Sequence, residues 1–257
     1  MVDSAVVIYA LVSTGLLSIL ANFVVKVIPK RKEHLNRTLG YFIALAAGAL
    51  IGDALIYLLP KAVHDGWTTT VTMAIVSGVA LMFLLERTIT WRELKNKARI
   101  SRRNHAAISN VFGFSTQSFV DGLVIASSYV VNLQIGIATT IAVIVHQIPQ
   151  EISNYAILRR AGVGSVFANR INVLAVSMSF VGVAVSLLLP FLFKASLTLS
   201  APFAAGVFLY VALAELMPDM IRERSFSMTI YQTLLFFVGI GLIALVKYFK
   251  VIIGALD

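Results

Sequence analysis

The run His146-Gln147-Ile148-Pro149-Gln150-Glu151 puts an imidazole, a carboxylate and two amides into six residues in the middle of a long apolar stretch. A second polar group, Gln117, Ser118 and Asp121, interrupts the apolar stretch before it. Imidazole nitrogen and carboxylate oxygen are the donors that divalent transition metals take, so the chemistry this pattern offers is metal ligation. The spacing organises the donors. Gln117 and Asp121 are four residues apart, as are His146 and Gln150, and Gln147 and Glu151, so on helices each pair shares a face. Gln117, Ser118 and Gln147 have a second reading, as interhelical hydrogen bonds worth about 0.6–2 kcal/mol in a membrane. Asp121 and Glu151 resist that reading, because a carboxylate at the bilayer centre costs about 2.5–3.5 kcal/mol on insertion scales. His146 alone would be a packing histidine; beside Asp121, Gln150 and Glu151 it is a ligand candidate. Pro149 has no N–H for the Val145 carbonyl, which predicts a bend beside the cluster.

The elements that hold these residues must be membrane helices. With 59% hydrophobic and only 13% charged residues in 257, and a mean hydropathy of +0.89, the chain is too apolar for a soluble domain. Eight apolar stretches are each long enough to cross a bilayer as a helix: 5–26, 38–60, 69–90, 106–130, 135–158, 168–193, 199–219 and 227–250. The predicted fold is an all-α polytopic bundle of eight helices in one transmembrane domain, 1–257. Barrel strands are not expected, because no segment alternates with period two.

The positive charges predict an orientation. Seventeen of the 21 Lys and Arg fall on alternate connections, in 26–37, 87–103, 159–170 and 222–224, and four (Lys61, Lys194, Lys247, Lys250) fall on the others. Cytoplasmic loops carry the excess, so both termini are expected outside a plasma membrane or bacterial inner membrane. Topology and anionic lipid account for the net charge of +9, and no basic patch is interleaved with aromatics, so a nucleic-acid partner is not expected. The first helix is preceded by Asp3 and no positive charge, the reverse of a cleavable signal. His34, His64 and His105 are expected in loops. With no cysteine and one histidine inside the membrane, a zinc hydrolase with three ligands and an activated water is not supported, and no enzymatic activity is expected.

The chain repeats itself. Ala46-Ala47-Gly48, Ala54-Leu55, Leu58 and Pro60 match Ala204-Ala205-Gly206, Ala212-Leu213, Leu216 and Pro218 at a constant offset of 158. By the charge topology the second and seventh helices run in opposite directions, as in inverted-repeat transporters. Helices 1–3 would then pair with helices 6–8 around helices 4 and 5. Asp53 in the second helix and Glu215 in the seventh are candidate pathway residues, with Tyr57 and Ser118 beside the route.

The segments Gln117-Ser-Phe-Val-Asp121-Gly and His146-Gln-Ile-Pro-Gln-Glu151 resemble the fourth- and fifth-helix signatures of ZIP metal transporters. Gly52-Asp53-Ala54 through Pro60, and Ala205-Gly206 through Pro218, resemble that family's second and seventh helices. The resemblance implies a 3+2+3 bundle, usually a homodimer, moving zinc, iron or manganese toward the cytosol, with the metal held between helices 4 and 5. It implies a ligand set drawn from Gln117, Asp121, His146, Gln147, Gln150 and Glu151. It also exposes departures. Gln117 and Ser118 stand where the family commonly has His and Asn, Gln147 and Gln150 replace an acid and a second His, and Tyr57 replaces a frequent His. Fewer imidazoles and more oxygen favour harder ions, manganese or ferrous iron, over zinc. The lost charge weakens any case for two adjacent metals. It also leaves open a transport-deficient relative that acts as a metal sensor or assembly partner.

Overall fold

The computed structural model describes residues 4–27, 32–64, 66–95, 102–188, 197–221 and 225–254. Among them the chain forms eight helices and no strand. They are α1 (Ser4–Val27), α3 (Thr69–Lys95), α4 (Arg102–Val131), α5 (Leu133–Arg160), α6 (Ser165–Leu188), α8 (Phe226–Gly254) and two composite helices. α2 runs from Lys32–Gly52 through a π-helical turn, Asp53–Leu58, into Leu59–Ala62; α7 runs from Leu197–Tyr210 through a second, Val211–Leu216, into Met217–Ile221. Six of the eight are long and apolar enough to cross a membrane, and α1 adds a shorter apolar stretch, Ser4–Leu20. α4 is diluted by Arg102, Arg103, Asn104 and His105 at its start and by Gln117, Ser118 and Asp121 in its middle.

Helices extend beyond the apolar stretches that predict them. α2 begins at Lys32 and α4 at Arg102, so His34 and His105 lie on helices and not in loops; only His64 is in a turn. Hydropathy marks where lipid begins, whereas the backbone ladder continues into water until a breaker or cap stops it. Lys30, Arg31, Lys97, Arg99, Lys194, Arg222 and Arg224 lie outside the described residues.

The two π turns lie at the repeat offset, 158 residues apart, and each ends two residues before a proline, Pro60 or Pro218. A proline offers no N–H to the carbonyl four residues back and its ring crowds that carbonyl, so the preceding turn can widen to i→i+5 bonding. α5 keeps Pro149 inside one continuous helix. It starts where the Asn132 side chain accepts a hydrogen bond from the Ile135 N–H at 2.7 Å, and stops at Gly162, whose φ of +94° is left-handed.

Reciprocal glycines weld three helix pairs. A Cβ on Gly48 of α2 would strike the Phe236 carbonyl of α8, and one on Gly239 of α8 would strike the Leu45 carbonyl of α2. Gly78 and Gly206 do the same for α3 and α7, and Gly122 and Gly182 for α4 and α6. In lipid, where burying apolar surface drives no association, close backbone approach over small residues is what holds helices together. α5 lies in the middle, touching α1, α2, α4, α6 and α8, so its polar residues are screened from lipid.

Candidate metal site

Three helices bring one acid or imidazole each to a common level. His146 of α5 stands between two carboxylates: its Nδ1 lies 2.9 Å from Asp53 Oδ2 of α2, and its Nε2 lies 3.5 Å from Asp121 Oδ1 of α4. All three are buried, and the Phe208 ring of α7 packs beside the imidazole with centroids 5.1 Å apart. Asp53 opens the first π turn. Both Asp121 oxygens and Asp53 Oδ1 are buried with no hydrogen-bond donor. Buried carboxylate oxygens without donors are expensive, and a cation is the partner that would offset the cost. No three acidic or histidine side chains among the described residues form a ready-made cage. The geometry says why: the imidazole turns opposite nitrogens to the two acids, so the donors form a line. A metal ligated here would replace one of the two carboxylate contacts on His146.

One helical turn along each of α4 and α5, toward the Arg159 end of α5, Gln117 and Gln150 form a closed reciprocal pair. Gln117 Nε2 donates to Gln150 Oε1 at 2.8 Å, and Gln150 Nε2 donates to Gln117 Oε1 at 2.9 Å. Gln117 is four residues before Asp121 and Gln150 four after His146, so on these antiparallel helices the two positions face each other. Each amide satisfies the other. Behind the pair lies a cavity of about 10 Å³, the room one water needs, lined in part by Asn110, Ser153, Asn154 and Glu215. A Cβ on Gly113 would fall 2.6 Å from Glu215 Oε1, so that glycine makes space for the carboxylate. In the same region Tyr210 donates to Glu86 Oε2 at 2.5 Å.

Two turns the other way from His146 and Asp121 lies a chain of hydroxyls. Thr139 precedes His146 by seven residues, Ser128 follows Asp121 by seven, and Tyr57 follows Asp53 by four, so each lies on its helix's site face. Thr139 donates to Ser128 Oγ at 3.0 Å, and Tyr57 and Thr139 hydroxyls lie 3.0 Å apart. Since the Thr139 proton goes to Ser128, Tyr57 is the donor to Thr139. Lys61 Nζ also donates to Ser128 Oγ, at 3.3 Å.

The remaining candidates sit apart from the trio. Glu151 is buried but turned toward α6, where the Asn172 amide donates to its Oε2 and, at 3.1 Å, to its backbone carbonyl. Its Oε1 has no donor. Gln147 and Ser118 are buried with their side-chain polar atoms lacking hydrogen-bond partners. Asp53, read from sequence only as a pathway residue, is in direct reach of His146. Asn172, Ser128, Thr139 and Glu86 were absent from the sequence reading. The signal for two of them was available: the seven-residue spacings from Asp121 and His146.

The family profile described as "ZIP Zinc transporter" matches residues 90–247, more than half of the chain. Among curated proteins, "Zinc transporter ZIP13" of Pongo abelii is 26% identical over 235 residues, covering 84% of this chain and 68% of that protein. "Zinc transporter ZIP13 homolog" of Drosophila melanogaster is 32% identical over 157 residues, 60% of this chain and 44% of that protein. "Metal cation symporter ZIP8" of Rattus norvegicus is 34% identical over 110 residues, 42% of this chain and 23% of its own length. The chain therefore spans about two thirds of the first relative and less than half of the other two.

Proposed function

Because the chain belongs to the ZIP zinc transporter family, we propose that it carries divalent transition-metal cations across a membrane by way of the His146 cluster. The direction is toward the side where Lys and Arg collect, the cytosol on the charge rule. The observation that carries the reading is one imidazole held between two buried carboxylates from three helices, with acid oxygens lacking any donor. The cation is ligated by His146 Nε2 and Asp121, in place of their looser contact, while Asp53 keeps its contact with Nδ1 and holds the ring. Gln117 and Gln150 serve as a neutral floor that spaces the cation from the cavity beneath, and Glu215 receives it there.

With one imidazole and otherwise oxygen, the donor set accepts manganese and ferrous iron beside zinc, with the zinc preference reduced. A single cation is carried, because the paired amides offer no charge to a neighbour. The cycle alternates access to this site. The matched π turns and the equivalent glycine crossings of α2 with α8 and α7 with α3 support two inverted halves moving around it. The protein works as a homodimer in a plasma membrane or bacterial inner membrane, with both termini outside.

The test is uptake into proteoliposomes by the unaltered protein, Asp121→Ala and His146→Ala. Saturable uptake abolished in both variants supports the site; unchanged uptake in both refutes it. The closed Gln117–Gln150 pair favours one other reading, a transport-deficient relative that senses metal or assembles with a partner. Saturable flux of any of zinc, cadmium, manganese, ferrous iron or cobalt removes that reading.

A further inference from the structure

We propose that Lys61, with Ser128, Thr139 and Tyr57, forms the latch that closes the His146 cluster on the side away from the Arg-rich connections, and that each cation enters only when the Lys61–Ser128 contact opens. Three observations carry this. The four residues come from the same three helices as the trio and occupy the corresponding faces, four or eight residues from Asp53 and seven from Asp121 and His146. At a rise of about 1.5 Å per residue, the α4 and α5 members lie roughly 10 Å above the trio. Tyr57, Thr139 and Ser128 are buried while Lys61 is only half-buried, so the chain runs from the bundle interior to its edge. Its polarity is fixed. Tyr57 donates to Thr139, Thr139 donates to Ser128, and the Ser128 oxygen also accepts from the Lys61 ammonium.

An ammonium at this place does two things. It draws α2 and α4 together over the entrance through a charge-assisted hydrogen bond. It also repels a dication along the axis that leads to Asp53 and Asp121, in surroundings where screening is weaker than in water. A neutral side chain at 61 removes both effects. The inference rests on the proposed transport reading for the identity of what passes, and the first arm of its test is independent of transport.

The chain has no cysteine, so Ala142→Cys supplies a single thiol. Ala142 is buried on α5 between Thr139 and His146, behind the latch. Its modification is timed in sealed membrane vesicles of each orientation, using a cationic and an anionic membrane-impermeant methanethiosulfonate. With Lys61→Gln added, both reagents are expected to react at least tenfold faster from one face, and Lys61→Arg is expected to stay near the starting rate. Faster reaction of the cationic reagent alone means a local electrostatic effect without a latch and overturns the proposal, as does an unchanged rate with both. The second arm measures manganese uptake without the cysteine. Lys61→Gln is expected to lower KM about threefold or more, with Lys61→Arg unchanged; a raised KM overturns the proposal. If the unaltered protein moves no metal, the transport reading fails while the thiol arm still decides the latch.

Discussion

The two π turns are the same backbone device carrying different chemistry. Read in register, Asp53-Ala54-Leu55-Ile56-Tyr57-Leu58 lies against Val211-Ala212-Leu213-Ala214-Glu215-Leu216. The shared positions are placed alike in each: Ala54 and Ala212 are fully buried, Leu58 and Leu216 are buried, and Leu55 and Leu213 are about half exposed. The positions that differ hold the polar groups. The first turn puts its acid at the first residue, where it reaches His146, and a phenol at the fifth, where it joins the hydroxyl chain. The second puts an apolar valine first and its acid fifth, beside the cavity under the amide pair. The scaffold is repeated and the charge is not, so the acids lie at two different depths along the proposed route.

Removing the acid from the first turn breaks this comparison most severely. Asp53→Ala leaves His146 facing one carboxylate and should lower kcat/KM for uptake about a hundredfold, the equivalent of some 2.7 kcal/mol. Glu215→Gln keeps the shape of the cavity lining and removes only its charge. It should slow manganese uptake about tenfold, chiefly in kcat, because the site itself is intact. A Glu215 effect as large as that of Asp53 would place both acids in one site and dissolve the distinction.

The amide pair between those depths gives a third, smaller effect. Gln150→Ala strands the buried Gln117 amide and should cost about 1–3 kcal/mol in unfolding free energy. Adding Gln117→Ala should cost much less than the sum of the two single changes. Denaturation of the purified single and double variants measures that coupling, and simple additivity would mean that the two amides do not pair. Tyr57→Phe should give the smallest change, a few-fold in uptake rate, since it deletes one hydrogen bond worth about 1 kcal/mol and leaves Asp53 in place.

Much of this arrangement was legible in sequence, and the limits have physical reasons. Apolar length located the eight helices, since lipid excludes charge over a fixed thickness. Four-residue spacing correctly put Gln117 with Asp121 and His146 with Gln150 on common faces. Spacing within one helix says nothing of which neighbour that face meets, so the approach of His146 to Asp53 and the capture of Glu151 by Asn172 stayed hidden. The widening of α2 at Asp53 was invisible too, because six residues are too few to separate a wider helical period from the ordinary one. Ser128 and Thr139 are marked only by their seven-residue spacing from Asp121 and His146, a weak signal because small hydroxyls are common between membrane helices.

The central claim, that the cation is ligated by His146 and Asp121, is tested most directly by X-ray absorption at the metal edge of the zinc-loaded protein. The account predicts a single imidazole with the remaining donors oxygen, and loss of the imidazole signature in His146→Ala. Two or more imidazoles in the unaltered protein, or an unchanged spectrum in His146→Ala, would contradict it.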